Sequence, residues 1–208
     1  MRRSCRAVRG NPPGPAYRLG MGRMRGTVQR PEGLRYLPDL LDEEQETALL
    51  ARLASLEFGE VRLHGQVARR VVRHYGVDYD YDSARVSPGA PVPDWLDDVR
   101  ARSADLLGRA PADLAEVLVT RYPPGATIGW HRDAVAFDEV VGVSLGSPCL
   151  MRFQRGTGDR RRVFEQPLEP RSGYVLAGPA RTAWQHSIPA VPAERYSLTF
   201  RTLRGTGG

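Results

Sequence analysis

The sequence predicts an α+β protein built on a double-stranded β-helix (jelly roll), with two supporting helices N-terminal to the main sheets. Its 208 residues suit one domain with a substantial core. From residue 115 onward, short β-branched and apolar segments alternate with glycine, proline and serine turn signals. Many short strands at this spacing are typical of a double-sheet barrel. Both segments with helical periodicity precede these strands, so they can cover one sheet.

The N-terminal segment, residues 1–33, is rich in Arg, Gly and Pro and poor in large apolar residues. This composition predicts a disordered tail. One alternative is that translation starts at Met21 or Met24, so that the upstream residues are not made. Another is an arm that binds nucleic acid. Residues 34–205 form the predicted folded domain.

The domain begins with a short predicted strand at residues 34–38, followed by a helix. Asp42, with Gln45 three residues later, forms the pattern of a capping box. This pattern predicts a helix that runs to about Leu56.

A second helix and the main strands follow. Pro93 suits the start of a helix that reaches about Leu107. The later strands are predicted at residues 116–120, 140–145, 150–154, 162–165, 174–176 and 195–201.

The composition favours a polyanionic partner and excludes a membrane span. The net charge is +6 and the pI is near 9.8. The two cysteines do not suggest a disulfide framework. No apolar run approaches the ~20 residues that a membrane helix needs. We therefore expect a cytoplasmic monomer.

His131 and Asp133 form a His-x-Asp motif in an extended segment. Residues i and i+2 of a strand point to the same face, so both side chains can bind one ion. His186 is the best third ligand, because the other two histidines lie in an arginine-rich segment and an upstream loop. Two histidines and one carboxylate are the facial arrangement of non-haem Fe(II) oxygenases. The alternative is a surface His–Asp pair and an unrelated histidine.

The strand at residues 195–201 has two different faces. One is polar and contains Arg195, Ser197 and Arg201, whereas the other is apolar and suits a core. Burying two guanidiniums is costly unless an anion neutralises them. A dicarboxylic acid would satisfy both, since a guanidinium binds a carboxylate through two hydrogen bonds. The alternative is that the arginines pair with Asp or Glu across strands.

These motifs together resemble those of the AlkB-like Fe(II)/2-oxoglutarate dioxygenases. The family pattern is Asn-x-Tyr-x-x-Gly, His-x-Asp, a distal His and Arg-x5-Arg. Here its four parts are residues 120–125, residues 131–133, His186 and residues 195–201. Thr120 stands where the family has Asn. This departure concerns one hydrogen bond to 2-oxoglutarate and not the iron site.

The resemblance implies a role for each motif residue. The two histidines and the aspartate would bind Fe(II). Arg195 would bind the distal carboxylate of 2-oxoglutarate, and Tyr122 would donate its phenol to this cosubstrate. Arg201 would lie near the carboxylate that chelates iron, and Ser197 is a lesser candidate on the same face. With O2, the implied reaction hydroxylates an N-methyl group, which then leaves as formaldehyde.

Arginines and aromatic residues are interleaved in residues 66–81. The candidates for substrate binding are Arg69, Arg70, Arg73, Tyr75, Tyr79 and Tyr81. Arginines bind phosphates and aromatic rings stack on bases, and the resemblance implies a substrate lid in this region. The alternative is a twisted hairpin with half-buried tyrosines and solvated arginines.

Alkylated nucleic acid is the substrate that the resemblance favours, with DNA and RNA both open. A base in a duplex would have to be flipped out to reach the iron. Val135, two residues after Asp133, offers no acidic group to read a base edge. A protein or small-molecule hydroxylase with the same iron chemistry therefore stays an alternative. A non-catalytic nucleic-acid binder is a third, which the intact ligand set disfavours.

Overall fold

The computed structural model of the protein describes residues 29–63, 66–80 and 85–205. Most of the predicted N-terminal tail, and Tyr81, lie outside these ranges. The strands of the described part are β1 (Leu34–Leu37), β2 (Gly59–Leu63), β3 (Gln66–Tyr75), β4 (Val77–Asp80), β5 (Arg85–Pro88), β6 (Leu114–Tyr122), β7 (Ile128–His131), β8 (Phe137–Gly146), β9 (Cys149–Arg155), β10 (Arg162–Leu168), β11 (Gly173–Leu176), β12 (Gln185–Ile188) and β13 (Arg195–Leu203). Its α-helices are α1 (Glu43–Ala54), α2 (Asp97–Leu107) and α3 (Gly178–Thr182).

The strands form two main sheets that pack against each other. The larger has seven strands in the order β1-β11-β8-β13-β6-β3-β2, and the smaller has four in the order β10-β9-β12-β7. Side chains from both sheets, such as Tyr174 and Phe153, belong to one buried cluster. The predicted double-sheet fold is therefore confirmed. Strands β4 and β5 form a separate two-stranded sheet.

The two N-terminal helices cover the outer face of the larger sheet. Leu53 of α1 and Val99 of α2 belong to the same buried cluster as Val119 and Leu198 of the sheet. The inner face, opposite the smaller sheet, is therefore the one that can carry polar side chains. None of the helices in the described ranges combines the length and apolar character needed to cross a bilayer.

Local capping signals define the ends of these helices. The Asp42 carboxylate accepts a hydrogen bond from the Gln45 backbone, and the Gln45 side chain accepts one from the Asp42 backbone. Helix α1 ends slightly before its predicted end. A 3-10 turn, Asp94–Leu96, precedes α2, and Gly108 ends it with a left-handed φ of 66°.

The two strands within residues 66–80 do not pair with each other. Strand β3 belongs to the larger sheet and pairs with β2 and β6. The chain turns at Gly76, where φ is 85° and a Cβ would lie 2.1 Å from the carbonyl oxygen of Ala115. Only glycine fits there. Strand β4 then pairs with β5, so the alternative of a hairpin is wrong for the described residues 66–80.

Candidate metal centre and anion pocket

Three residues with metal-binding side chains meet beside the smaller sheet. His131 ends β7 and lies opposite His186 on β12, and their ring centroids are 4.2 Å apart. Asp133 follows just beyond the end of β7. Ligand atoms of the three residues all lie within 4.8 Å of one another. The structure therefore brings together the three residues that the sequence indicates.

Hydrogen bonding and burial determine which ring nitrogens of the histidines are available to a metal ion. Nδ1 of His131 lies 2.9 Å from the carbonyl oxygen of Gly129. Because a carbonyl only accepts, Nδ1 is the donor, and Nε2 is the ring nitrogen left for a metal ion. Burial lowers the pKa of His186 to about 3, although the Asp133 carboxylate opposes this effect. His186 therefore offers a neutral nitrogen, the form that binds metals.

Asp133 gives the clearest indication of a bound cation. Its Oδ1 accepts a hydrogen bond of 2.7 Å from Arg201. Its Oδ2 is buried, has no hydrogen-bond partner in the described residues, and lies 3.7 Å from Nε2 of His186. Burial alone would raise the pKa of Asp133, but Arg201 and the two histidines hold it well below its usual range. An ionised, buried oxygen without a donor fits a divalent metal ion.

Arg201 is neutralised within the protein. Its Nη2 donates to Asp133 and its Nη1 donates to Glu116 over 2.5 Å. Glu116, on β6, is 1% exposed and lies opposite Arg201 in the sheet. Arg201 therefore needs no bound dicarboxylate to neutralise its charge, and the interpretation that both arginines need one is wrong for this residue. The alternative, pairing with acids across strands, applies to it.

Arg195 is buried without an acidic partner of this kind. Its side chain is 0% exposed, and its Nη2 donates to Oγ of Ser144 over 3.1 Å. Its Nε and Nη1 have no hydrogen-bond partner in the described ranges. Its Cζ lies 4.6 Å from the centroid of the Tyr122 ring. Ser197 lies opposite both Ser144 and Thr120, so hydroxyl groups continue along this face. Unmet donors on a buried cation indicate an anion-binding pocket.

Tyr174 is a further residue of this inner face that the sequence does not indicate. It lies on β11 opposite Gly142 of β8. A Cβ at Gly142 would lie 2.1 Å from the Tyr174 ring, so the ring crosses β8 only because residue 142 is glycine. Burial, with a smaller contribution from Tyr122, raises the pKa of Tyr174 far above its usual value. The phenol is therefore protonated and can donate. In the sequence it resembles any core tyrosine of an apolar strand.

Arg181 of α3 holds the segment that follows Asp133. Its Nη2 donates to the carbonyl oxygens of Ala134 over 2.6 Å and Phe137 over 3.0 Å. The sequence predicts neither α3 nor this role of Arg181. The only indication of this role in the sequence is an arginine within a short segment that contains alanines.

The predicted substrate residues are divided between the two faces of β3. Partners across an antiparallel pair share a face, so Arg73 and Tyr75 lie with Val119 and Val117 on the outer face. Tyr75 is 7% exposed and belongs to the core cluster under the helices. Its prediction as a platform for stacking bases is therefore wrong. Arg69 is exposed and, by alternation, lies on this outer face too.

Arg70 and Tyr79 lie nearer to the metal centre. By the same alternation, Arg70 belongs to the inner face, and its Nη1 is 3.4 Å from the carbonyl oxygen of Thr127. The Tyr79 ring centroid is 5.8 Å from that of Phe137. The Phe137 ring centroid is in turn 5.3 Å from Cζ of Arg201. Tyr79 is thus the predicted aromatic residue that borders the site.

Comparison with known proteins adds independent information. The family model for the 2OG-Fe(II) oxygenase superfamily matches residues 33–201. The chain is 30% identical over 164 residues to the Xenopus tropicalis tRNA (carboxymethyluridine(34)-5-O)-methyltransferase alkbh8, which covers 76% of this chain and 25% of the relative. It is 30% identical over 182 residues to the Arabidopsis thaliana alkylated DNA repair protein ALKBH8 homolog, with 76% and 51% covered. The chain therefore spans about a quarter to a half of these relatives.

The solved structure of OsALKBH1 matches with a TM-score of 0.63. The match covers 85% of this chain and 99% of that chain at 15% sequence identity. At this identity the likeness shows the fold alone.

The buried position of Arg201 predicts a large effect on stability. In Arg201→Met, Glu116 and Asp133 lose the cation between them. Removing one partner of a buried ion pair costs about 3–5 kcal/mol, so we expect a loss of this size in the free energy of unfolding, measured with urea on the metal-free protein. Arg62→Ala is the matched control, because its pair with Glu60 is largely exposed and should contribute about 0–1 kcal/mol. Equal losses in both variants would contradict the assigned role of Arg201.

Proposed function

The chain belongs to the 2OG-Fe(II) oxygenase superfamily, as the AlkB-like resemblance of its motifs predicts, and we propose that it oxidatively demethylates alkylated bases in DNA or RNA. One observation carries this proposal. The buried Oδ2 of Asp133, without a hydrogen-bond donor, faces His186 in a cluster of three metal-binding residues. This arrangement has the two-histidine, one-carboxylate composition that suits Fe(II) in oxygenases.

The residues of the cluster fit Fe(II), and each has a distinct task. Nε2 of His131, Nε2 of His186 and Oδ2 of Asp133 would hold the ion. Arg201 orients Asp133 by binding its other oxygen, so that Oδ2 stays directed at the two histidines. When bound, Fe(II) and O2 supply the oxidation of a C–H bond coupled to decarboxylation of 2-oxoglutarate to succinate, and an N-methyl group hydroxylated in this way leaves as formaldehyde.

The proposed 2-oxoglutarate pocket centres on Arg195. Its unmet donors, Nε and Nη1, lie on different edges of the guanidinium, so one of these edges would bind the distal carboxylate. The Tyr122 ring lies 4.6 Å from Cζ of Arg195, and its phenol would assist. Ser197 adds a hydroxyl to the same face, whereas Arg201 is held by Glu116 and Asp133. The pocket therefore has one arginine available for the distal carboxylate. Thr120, in place of the family Asn, is 3% exposed and opposite Ser197, so a shorter side chain occupies that position.

The proposal of a nucleic-acid substrate has three supports. The names of the two relatives refer to tRNA and to alkylated DNA repair. The net charge of +6 favours a polyanion. Tyr79 packs against the buried Phe137 beside Arg201, and its partly exposed ring is one on which a flipped base can stack. The cytoplasmic location and the monomeric state stay predictions.

Coupled turnover tests the proposed reaction. The protein is incubated with Fe(II), 2-oxoglutarate and O2, together with DNA or RNA oligonucleotides that carry one N-methylated base. We expect succinate and formaldehyde in equal amounts, with little formaldehyde from the unmethylated sequences. Formaldehyde or hydroxylated product from peptides or small molecules, but from none of the oligonucleotides, would favour the alternative hydroxylase and contradict the nucleic-acid substrate.

Affinity for 2-oxoglutarate tests the anion pocket. Losing one partner of a buried charged pair costs about 2–5 kcal/mol, so Arg195→Ala should weaken binding ~30-fold or more in anaerobic calorimetry with Fe(II). Arg195→Lys should recover only part of this loss, because an ammonium cannot replace the guanidinium fork. Arg121→Ala is the control, since Arg121 pairs with Glu194 at the surface. Unchanged affinity in Arg195→Ala would place the distal carboxylate elsewhere.

A further inference from the structure

His74 lies in a row of polar side chains on the inner face of the larger sheet. It is opposite Leu118 on the neighbouring strand, and its Nδ1 is 3.0 Å from Oε1 of Glu116. Glu116 in turn lies opposite Arg201, which binds Asp133. Three adjacent strands, β3, β6 and β13, therefore carry a continuous hydrogen-bonded series from His74 to a proposed metal ligand.

Glu116 determines which nitrogen of His74 carries the proton. Burial alone would raise the pKa of Glu116, but Arg201 and His74 more than offset this and lower it, so the carboxylate is ionised. An ionised carboxylate only accepts hydrogen bonds. In the neutral imidazole the proton must therefore be on Nδ1, and Nε2 is left as an acceptor. Nε2 has no hydrogen-bond partner in the described residues, and the side chain is 31% exposed.

The position of His74 suits contact with a substrate. Neighbouring strands are about 4.8 Å apart and the two residues are offset by two positions along β6, about 6.8 Å, so His74 on β3 lies roughly 12 Å from Arg201 on β13. This is within reach of a nucleoside held at the metal centre. Strand β4 follows directly after Gly76 and carries Tyr79, which borders the same site. Val135, which follows Asp133, is 67% exposed and offers no acceptor of its own.

We propose that His74 distinguishes an amino group from a carbonyl group on the substrate base, with Nε2 accepting a hydrogen bond from the amino group. This inference rests on the proposed nucleic-acid demethylation. It assigns selectivity to a residue outside the metal and cosubstrate motifs. Glu116 is a positioning residue in it, because it acts on the substrate only through the tautomer and orientation of His74.

The substitution Glu116→Gln provides a specific test of the tautomer. Nη1 of Arg201 is a donor, so the amide oxygen must face Arg201 and the amide NH2 must face His74. Nδ1 of His74 then becomes the acceptor and Nε2 becomes a donor. The side chain keeps its size, but the group that His74 presents to the substrate is reversed. Loss of packing or of stability alone would not produce such a reversal.

The experiment compares single-stranded oligonucleotides with one 3-methylcytosine or one 3-methyluracil, which differ by an amino or a carbonyl group at position four. The ratio of kcat/KM for the two is measured by formaldehyde release at about pH 8, where an ordinary imidazole is neutral. The wild type should favour 3-methylcytosine about tenfold, the value of one hydrogen bond. Glu116→Gln should lower the ratio at least about tenfold, to or beyond equality. His74→Leu should bring it to an intermediate value.

Three controls separate selectivity from damage to the site. Glu60→Gln makes the same chemical change in an exposed carboxylate paired with Arg62, and should leave the ratio unchanged. Oligonucleotide affinity, measured anaerobically by fluorescence anisotropy, should show the same order of preference as turnover. Stoichiometric Fe(II) binding should be retained in His74→Leu, which keeps this variant informative even where Glu116→Gln disturbs Asp133.

The outcomes distinguish this inference from the function on which it rests. A wild type that demethylates these oligonucleotides, with the same ratio in His74→Leu and Glu116→Gln, overturns the role of His74 and leaves the proposed function intact. A wild type that neither binds nor demethylates any methylated oligonucleotide overturns both. A ratio that moves in His74→Leu and in Glu116→Gln as described, but not in Glu60→Gln, supports both.

Discussion

The contact between the Arg201 guanidinium and two buried carboxylates is the interaction on which the site depends. Asp133 lies just beyond the end of β7, so it is outside the strand whose pairing holds the backbone. Arg201 supplies that constraint through one oxygen and leaves the other for a metal ion. Glu116 fixes Arg201 from the opposite side. A buried ion pair is costly unless its geometry is well satisfied, and here that geometry orients a ligand.

The two arginines of β13 illustrate how one alternating pattern can serve two purposes. Arg201 is neutralised by acids of the protein, so it acts as part of the scaffold. Arg195 is equally buried but keeps donors without a protein partner, so it is suited to a ligand. The difference comes from the neighbouring strand, where Glu116 is opposite Arg201 and Tyr122 is opposite Arg195. The presence or absence of an acidic residue at the paired position of β6 therefore decides which arginine has a structural role and which can bind a ligand.

Much of this arrangement can be predicted from local sequence patterns, because they depend on residues close in the chain. The capping box at Asp42, the His-x-Asp spacing and the alternation along β13 are of this kind. Pairing between distant strands is not. Tyr75 and His74 are neighbours in an arginine-rich segment, and only the register of β3 against β6 assigns one to the core and the other to the site. For the same reason, the sequence indicates only that Glu116 begins a buried strand. Its contacts with His74 and Arg201 become visible in the structure.

Fe(II) stoichiometry tests the central claim that His131, Asp133 and His186 form one metal site. Anaerobic titration should give one tightly bound Fe(II) per chain in the wild type. The double variant His131→Ala/Asp133→Ala should lose this binding while its circular dichroism still shows a folded protein. His74→Ala is the control, because it removes an imidazole of the same inner face that is directed at Glu116 and should retain one Fe(II). Stoichiometric, tight Fe(II) binding by the double variant would contradict the assignment.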